Sequence, residues 1–85
     1  MKPIKYDRHA KRRMKEREVA EEEVESIMKN PDSLGKSGKE RMNAFKFMNG
    51  RYLRVSFKEE MDYTIVVTVT VRKKPYGEPH EDRIQ

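Results

Sequence analysis

The chain has 85 residues, and its 20 Lys and Arg against 15 Asp and Glu give a formal net charge of +5. Since a domain usually takes about 100–200 residues, this length allows one small domain. With no cysteine, a disulfide scaffold and a thiolate metal site are excluded. No apolar run approaches the ~20 residues of a membrane span, and none follows a basic N-terminus as a secretory signal would, so a cytoplasmic location without a membrane partner is expected.

The charge is divided into blocks along the chain. Residues 1–17 carry eight basic and two acidic side chains, 18–32 carry one basic and six acidic, and 33–58 carry seven basic and one acidic. Two basic blocks predict a phosphate-binding surface if folding brings them together. The alternative is a solvated Lys/Glu-rich surface of the kind found in thermophile proteins.

One short strand and two helices are predicted in the first part of the chain. Pro3 to Tyr6 is extended, and Asp7 is a suitable N-cap for a helix over about 8–17. A second helix over about 20–29 has apolar side chains at three- and four-residue spacing, which is one helical face. The Asn30-Pro31 pair ends this helix, because proline disfavours helical backbone at the residue before it.

After a predicted loop over 32–39, the apolar period changes to two, which indicates three strands. A two-residue turn at Asn49-Gly50 would separate Phe45 and Phe47 from Leu53, so a three-residue loop that pairs Phe45 with Leu53 is predicted instead. The strand residues then expected in the core are Phe45, Phe47, Leu53, Val55, Phe57, Ile65, Val67 and Val69.

This register leaves a partly basic face on the other side of the sheet, with Lys46, Tyr52 and Thr70 in one row and Ala44, Arg54 and Thr68 in the next. The predicted fold is α+β, in the order β-α-α-β-β-β, with an antiparallel sheet and both helices packed on one face. A single domain is expected over 1–76, followed by a polar C-terminal tail over 77–85.

The segment from His9 to Arg17, HAKRRMKER, resembles the His-Ala, Arg-Met, Arg helix of domain-of-unknown-function family 4258. An acidic second helix ending in Asn-Pro-Asp and a late strand containing Val67-Thr68-Val69 are similar to that family as well. The resemblance covers about residues 4–73. It departs at Glu18, where the family usually has glycine, and at Ala20, where Ser or Thr is expected as N-cap.

Domains of this family are similar in fold to the RelE/ParE toxin superfamily, whose members include ribosome-dependent ribonucleases. The resemblance therefore implies a RelE-like fold and, as a first function, a metal-independent RNA endonuclease or translation-interfering toxin. The partners that it implies are RNA or the ribosome, and a cognate antitoxin-like protein. No cofactor or metal is expected, because RNA cleavage by its own 2′-hydroxyl needs only a proton acceptor, a proton donor and cations.

For that chemistry the candidate catalytic residues are His9, Arg17 and Arg54, since histidine titrates near neutrality and guanidinium groups bind phosphate. The candidate nucleic-acid-binding residues are Arg13, Lys46, Tyr52, Thr68, Lys73 and Lys74. Structural roles stay open for the helix residues: His9 can close the helix onto the sheet, and the arginines can pair with glutamates of the second helix.

A second function, from a different class, is compatible with the same residues. It is a non-catalytic adaptor that binds nucleic acid or a protein through the basic surface. An RNA-cleavage assay with and without ribosomes distinguishes the two.

Overall fold

The computed structural model describes residues 2–38 and 40–74, in which two helices pack on one face of a five-stranded sheet. The strand order is β1-β5-β4-β3-β2, with β1 parallel to β5 and every other neighbouring pair antiparallel. In chain order the elements are β1 (Ile4–Tyr6), α1 (Arg8–Arg17), α2 (Glu21–Lys29), β2 (Ser33–Lys36), β3 (Met42–Met48), β4 (Arg51–Glu59) and β5 (Thr64–Arg72). The α+β class is confirmed. The expected all-antiparallel sheet is wrong, because β1 lies beside β5 and runs in the same direction.

Both helix starts follow from local hydrogen bonding. The Asp7 carboxylate accepts a hydrogen bond of 2.6 Å from the His9 N–H and caps α1 as predicted. At the start of α2 no hydroxyl is available, and the Glu23 carboxylate accepts from the Ala20 N–H at 2.9 Å instead. The helix ends at Lys29, before the Asn30-Pro31 pair.

The turn between the helices contains Glu18, which stands where the resembled family usually has glycine. Glu18 has φ 55° and ψ 52°, the left-handed conformation that glycine adopts without steric cost. The Val19 N–H donates to the Met14 carbonyl at 2.9 Å, so α1 ends in a Schellman motif. Val19 and Met14 are both buried in the core.

The predicted register of the β3–β4 hairpin is wrong. Asn49 and Gly50 form a two-residue turn with φ 54° and 77°, and Met48 pairs directly with Arg51. Phe45 and Phe47 therefore lie on the face away from the helices, opposite Arg54 and Tyr52. Two positive φ angles give a turn whose twist matches the strands, and this outweighs the burial of two aromatic rings.

A β-bulge changes the second hairpin in a similar way. Ser56 pairs with Thr68 while Phe57 pairs with Val66, so Val67 is the extra residue of β5. From this point toward the start of β5 the alternation is reversed, which turns Ile65 away from the helices. Ile65 and Val67, both predicted core residues, are only partly buried and lie on the other face.

The core is built where the helices meet β3, β4 and β5. Leu53, Val55, Phe57 and Val69 are buried as predicted. The helix-facing positions of β3 hold Met42, Ala44, Lys46 and Met48 rather than phenylalanine. The complete set of buried apolar residues is Ala10, Met14, Val19, Val24, Ile27, Ala44, Leu53, Val55, Phe57, Val66 and Val69.

The segment expected to be a loop over 32–39 contains β2, a four-residue edge strand along β3. Its sequence, Ser-Leu-Gly-Lys, has no apolar alternation, so β2 is formed by pairing with its neighbour rather than by its own pattern. The predicted polar tail, 77–85, lies outside the described residues.

Candidate nucleic-acid interface

The sheet face away from the helices, called the open face below, carries a group of aromatic rings at one end. Phe47 and Tyr52 are directly opposed on β3 and β4, with ring centroids 4.6 Å apart and planes at 49°. Phe45 occupies the next open-face position of β3 and is half-buried. Phe47 keeps 50% of its surface exposed, which is unusual for so large an apolar side chain. These rings offer flat apolar surface to a ligand.

The charged side chains at the strand positions of the open face all have the same sign. The pairing register puts Lys5 of β1, Arg54 and Lys58 of β4, and Arg72 of β5 on this face, and no Asp or Glu shares it within the described strands. Arg54 Nη2 donates to Thr70 Oγ1 at 3.3 Å, so a neighbouring strand holds this guanidinium in place. The face therefore attracts anions.

Polar groups lie between the rings and the two lysines of the open face, Lys5 and Lys58. Ser56 Oγ donates to Asn43 Oδ1 at 2.6 Å, and both residues are buried although no helix covers them. Direct cross-strand pairing and the long side chains around them account for this burial. The open face thus combines rings, cations and a fixed polar pair within four adjacent strands.

Only part of the predicted binding set lies on the open face. Tyr52 and Thr68 of this set are there, at half-buried positions, together with Arg54, which was predicted as a catalytic residue. Lys73 and Lys74 follow β5 and are exposed.

Lys46 is on the helix side of the sheet, contrary to the predicted rows. Its Nζ donates to the Asn30 carbonyl at 2.8 Å and lies 3.6 Å from Asp32 Oδ1. The reason is the hairpin register, which pairs Lys46 with the buried Leu53. Lys46 ties β3 to the end of α2.

The three predicted catalytic residues are not brought together. His9 is exposed in the first turn of α1, and Arg17 is in its last turn, about 12 Å away along the helix axis. Arg54 is on the opposite side of the sheet from this helix. Arg13, a predicted binding residue, forms an ion pair of 2.9 Å with Glu16 on the same helix.

Several residues of the open face were missed by sequence reasoning: Lys5, Phe45, Phe47, Lys58 and Arg72. One signal could have found the phenylalanines, namely the Asn-Gly dipeptide, because it favours a two-residue turn strongly enough to set the register of both strands. No sequence signal indicated the bulge in β5.

Arg51 was also missed, and its role is structural. Its guanidinium donates to the carbonyls of Arg17 at 2.8 Å and Glu18 at 3.2 Å, which are groups that the end of α1 leaves unpaired. It also forms an ion pair of 3.1 Å with Glu23, whose carboxylate accepts a further hydrogen bond from Asn49 at 2.7 Å. The hairpin turn and the helix turn are joined in this way.

Apart from the open face, a concave region with a volume of about 510 Å³ lies between the β2–β3 and β4–β5 turns. Its charged lining is balanced, with Lys36, Arg41 and Lys58 against Glu40, Glu59 and Glu60. A balanced lining does not favour an anionic ligand as the open face does.

Within the described part of the chain no cluster of three or more His, Asp or Glu is placed to hold a metal ion. Neither helix in that part has the length and apolarity to cross a bilayer.

The fold and its open face define a small α+β domain with a basic, aromatic sheet surface. A family profile described as Domain of unknown function (DUF4258) matches residues 6–71, and the chain belongs to this family. Comparison with curated proteins and with solved structures gave no match.

Proposed function

We propose that the chain binds single-stranded RNA through the open face. The observation that carries this proposal is the placement of three aromatic rings on the same sheet face as four cations. Two of these cations, Arg54 and Arg72, are cross-strand neighbours of the rings, and no carboxylate is among the described strand positions of that face. Aromatic rings stack on unpaired bases and cations bind the phosphates between them, so each part of the face has a counterpart in a single strand.

The ring pair supplies the sharper test. Replacing Tyr52 by Ala is expected to lower the affinity for a labelled oligouridine by about 1–3 kcal/mol at every salt concentration, since stacking does not depend on counterions. Phe47→Ala is expected to act in the same direction. Binding is measured by fluorescence anisotropy.

Leu34→Ala is the matched control, because Leu34 is another exposed apolar strand residue, 57% accessible, but lies on the helix side of the register. Equal losses in Leu34→Ala and Tyr52→Ala would show that the rings are not the contact. A wild type without salt-dependent binding to any single strand would overturn the proposal and favour the adaptor with a protein partner.

A RelE/ParE-like ribonuclease is the second candidate. It is supported by the order β-α-α followed by antiparallel strands, with both helices on one face and a basic face left open. Of its expected catalytic residues, Arg54 alone lies on that face, so Arg54 stabilises the phosphate charge in this proposal. Arg54→Gln is expected to lower cleavage strongly in assays with and without ribosomes, whereas His9→Ala, a change on the other side of the sheet, is expected to leave cleavage and melting temperature nearly unchanged.

A further inference from the structure

The outer surface of α1 carries a second group of cations, far from the open face. Ala10 and Met14 are buried against the sheet, and the opposite side of the helix exposes Arg8, Lys11, Arg12 and Lys15. At 3.6 residues per turn, these four cations fall within roughly a third of the helix circumference. We call this group the α1 ridge.

Most of the charge of the α1 ridge is not neutralised by an ion pair with another described residue. Lys11 forms an ion pair of 2.9 Å with Glu21 at the start of α2. Within residues 2–38 and 40–74, Arg8, Arg12 and Lys15 form no ion pair. Holding like charges one turn apart on a helix is destabilising, so an anionic partner would stabilise this arrangement.

The composition of the α1 ridge differs from that of the open face in a way that selects the partner. The ridge includes no aromatic or aliphatic residue, so it has nothing to stack on a base or to form the apolar centre of a protein interface. Cations alone bind phosphates, whatever the base sequence. From Arg8 to Lys15 the helix rises about 10 Å, which matches about three steps of 3.4 Å along a duplex.

We infer that the α1 ridge is a second nucleic-acid site, which binds the phosphate backbone of a duplex. Because the sheet separates α1 from the open face, one chain can hold a duplex on one side and a single strand on the other. The inference goes beyond the proposed function, and duplex binding does not require the open face to bind anything.

Two double variants with the same net charge test the location of this site. Arg8→Gln with Arg12→Gln removes two charges from the α1 ridge, and Lys29→Gln with Lys36→Gln removes two exposed charges elsewhere. Affinity for a labelled blunt DNA duplex, whose rise of 3.4 Å per step is the one matched above, is measured against salt concentration. The ridge variant is expected to lose affinity and to flatten the slope of log K against log salt by about one unit for each phosphate that it no longer binds. The control variant is expected to follow the wild type.

A competition experiment tests whether the two sites are independent. With the duplex bound, saturating oligouridine is expected to leave the anisotropy of the duplex unchanged. The Phe47→Ala and Tyr52→Ala variants are expected to bind the duplex as the wild type does.

The inference would be overturned by any of three results: displacement of the duplex by the single strand, equal losses of affinity in the two double variants, or no duplex binding by the wild type. Duplex binding without oligouridine binding would support it while contradicting the proposed function. Circular dichroism of each variant shows that the fold is retained.

Discussion

Glu18 occupies a backbone conformation that its own side chain disfavours. A residue with a Cβ atom is strained at φ 55°, and glycine is not. Glu18→Gly is therefore expected to raise the free energy of unfolding by about 0.5–1 kcal/mol, because relief of the strain exceeds the entropy that glycine adds to the unfolded chain. Urea denaturation measures this as a higher midpoint with an unchanged slope.

Glu18→Ala is the control, since alanine removes the carboxylate but keeps the Cβ atom and the strain. If both substitutions raised the stability equally, the gain would come from removing a negative charge at the C-terminal end of α1, where the helix dipole disfavours it.

Glu23 makes the stability of the fold depend on pH. Burial alone would raise the pKa of its carboxyl, but hydrogen bonds from Ala20 and Asn49 and the nearby Arg51 outweigh burial and lower the pKa below 4.5. A carboxyl whose pKa is lowered by folding stabilises the protein above its unfolded pKa, and this stabilisation is lost as the pH falls through the folded value.

Glu23→Gln is accordingly expected to cost about 1–2 kcal/mol at pH 7 and to reduce the acid sensitivity of unfolding below about pH 4.5. Urea denaturation at neutral and acidic pH measures both effects. Glu22→Gln, which changes an exposed carboxylate one position away, should alter neither. If Glu23→Gln lost as much stability at acidic pH as the wild type does, the acid sensitivity would come from other carboxylates.

At the scale of elements, the hairpin register makes opposite predictions for two apolar residues. Leu53 is fully buried, so Leu53→Ala is expected to cost about 2–4 kcal/mol of unfolding free energy. Phe47 is half exposed on the open face, so Phe47→Ala should cost under about 1 kcal/mol in spite of the larger change in volume. Thermal or urea unfolding of the two variants measures the difference. If both substitutions lowered the free energy of unfolding by a similar amount, the result would support the alternative register, in which Phe47 lies in the core.

The helices and four of the five described strands, all but β2, could be predicted because their signals are local. Asp7 caps α1, the Asn30-Pro31 pair ends α2, and alternation marks β3, β4 and β5. The register was not predictable from burial alone, since the Asn49-Gly50 turn and the apolar pattern favour different pairings and only the folded sheet shows which one prevails.

The candidate site was predicted in part for the same reason. Tyr52 and Arg54 were placed on the open face because either register puts them there. Lys46 and the two phenylalanines depend on the register and exchanged sides with it. The bulge at Val67 and the edge strand β2 arise from pairing with neighbouring strands, which no local pattern reports.

At the scale of the whole molecule, two cations on opposite sides of the sheet are expected to have different roles: Arg54, on the open face, in binding, and Lys46, on the helix side, in stability. Arg54→Gln is expected to flatten the slope of log K against log salt for oligouridine binding by about 0.7 units. This is the change expected when one phosphate contact with a single strand is lost. Lys46→Gln should leave that slope unchanged and lower the stability by about 1 kcal/mol, since Lys46 bonds the end of α2. Salt titrations and urea unfolding of both variants test this, and a flattened slope in Lys46→Gln would contradict its placement.

The parallel pairing of β1 with β5 has a consequence for the order in which the fold can form during synthesis. The partner of Ile4 is Thr64, so β1 leaves the ribosome before β5, its neighbour in the sheet, has been made. Until then the apolar side of α1 also lacks the strand against which it packs, since Ala10 and Met14 share a core with Val66 and Val69. Contacts between such distant segments form slowly. The nascent chain therefore exposes the basic helix α1 before β5 is available to cover its apolar side, and it completes this sheet only once β5 has emerged.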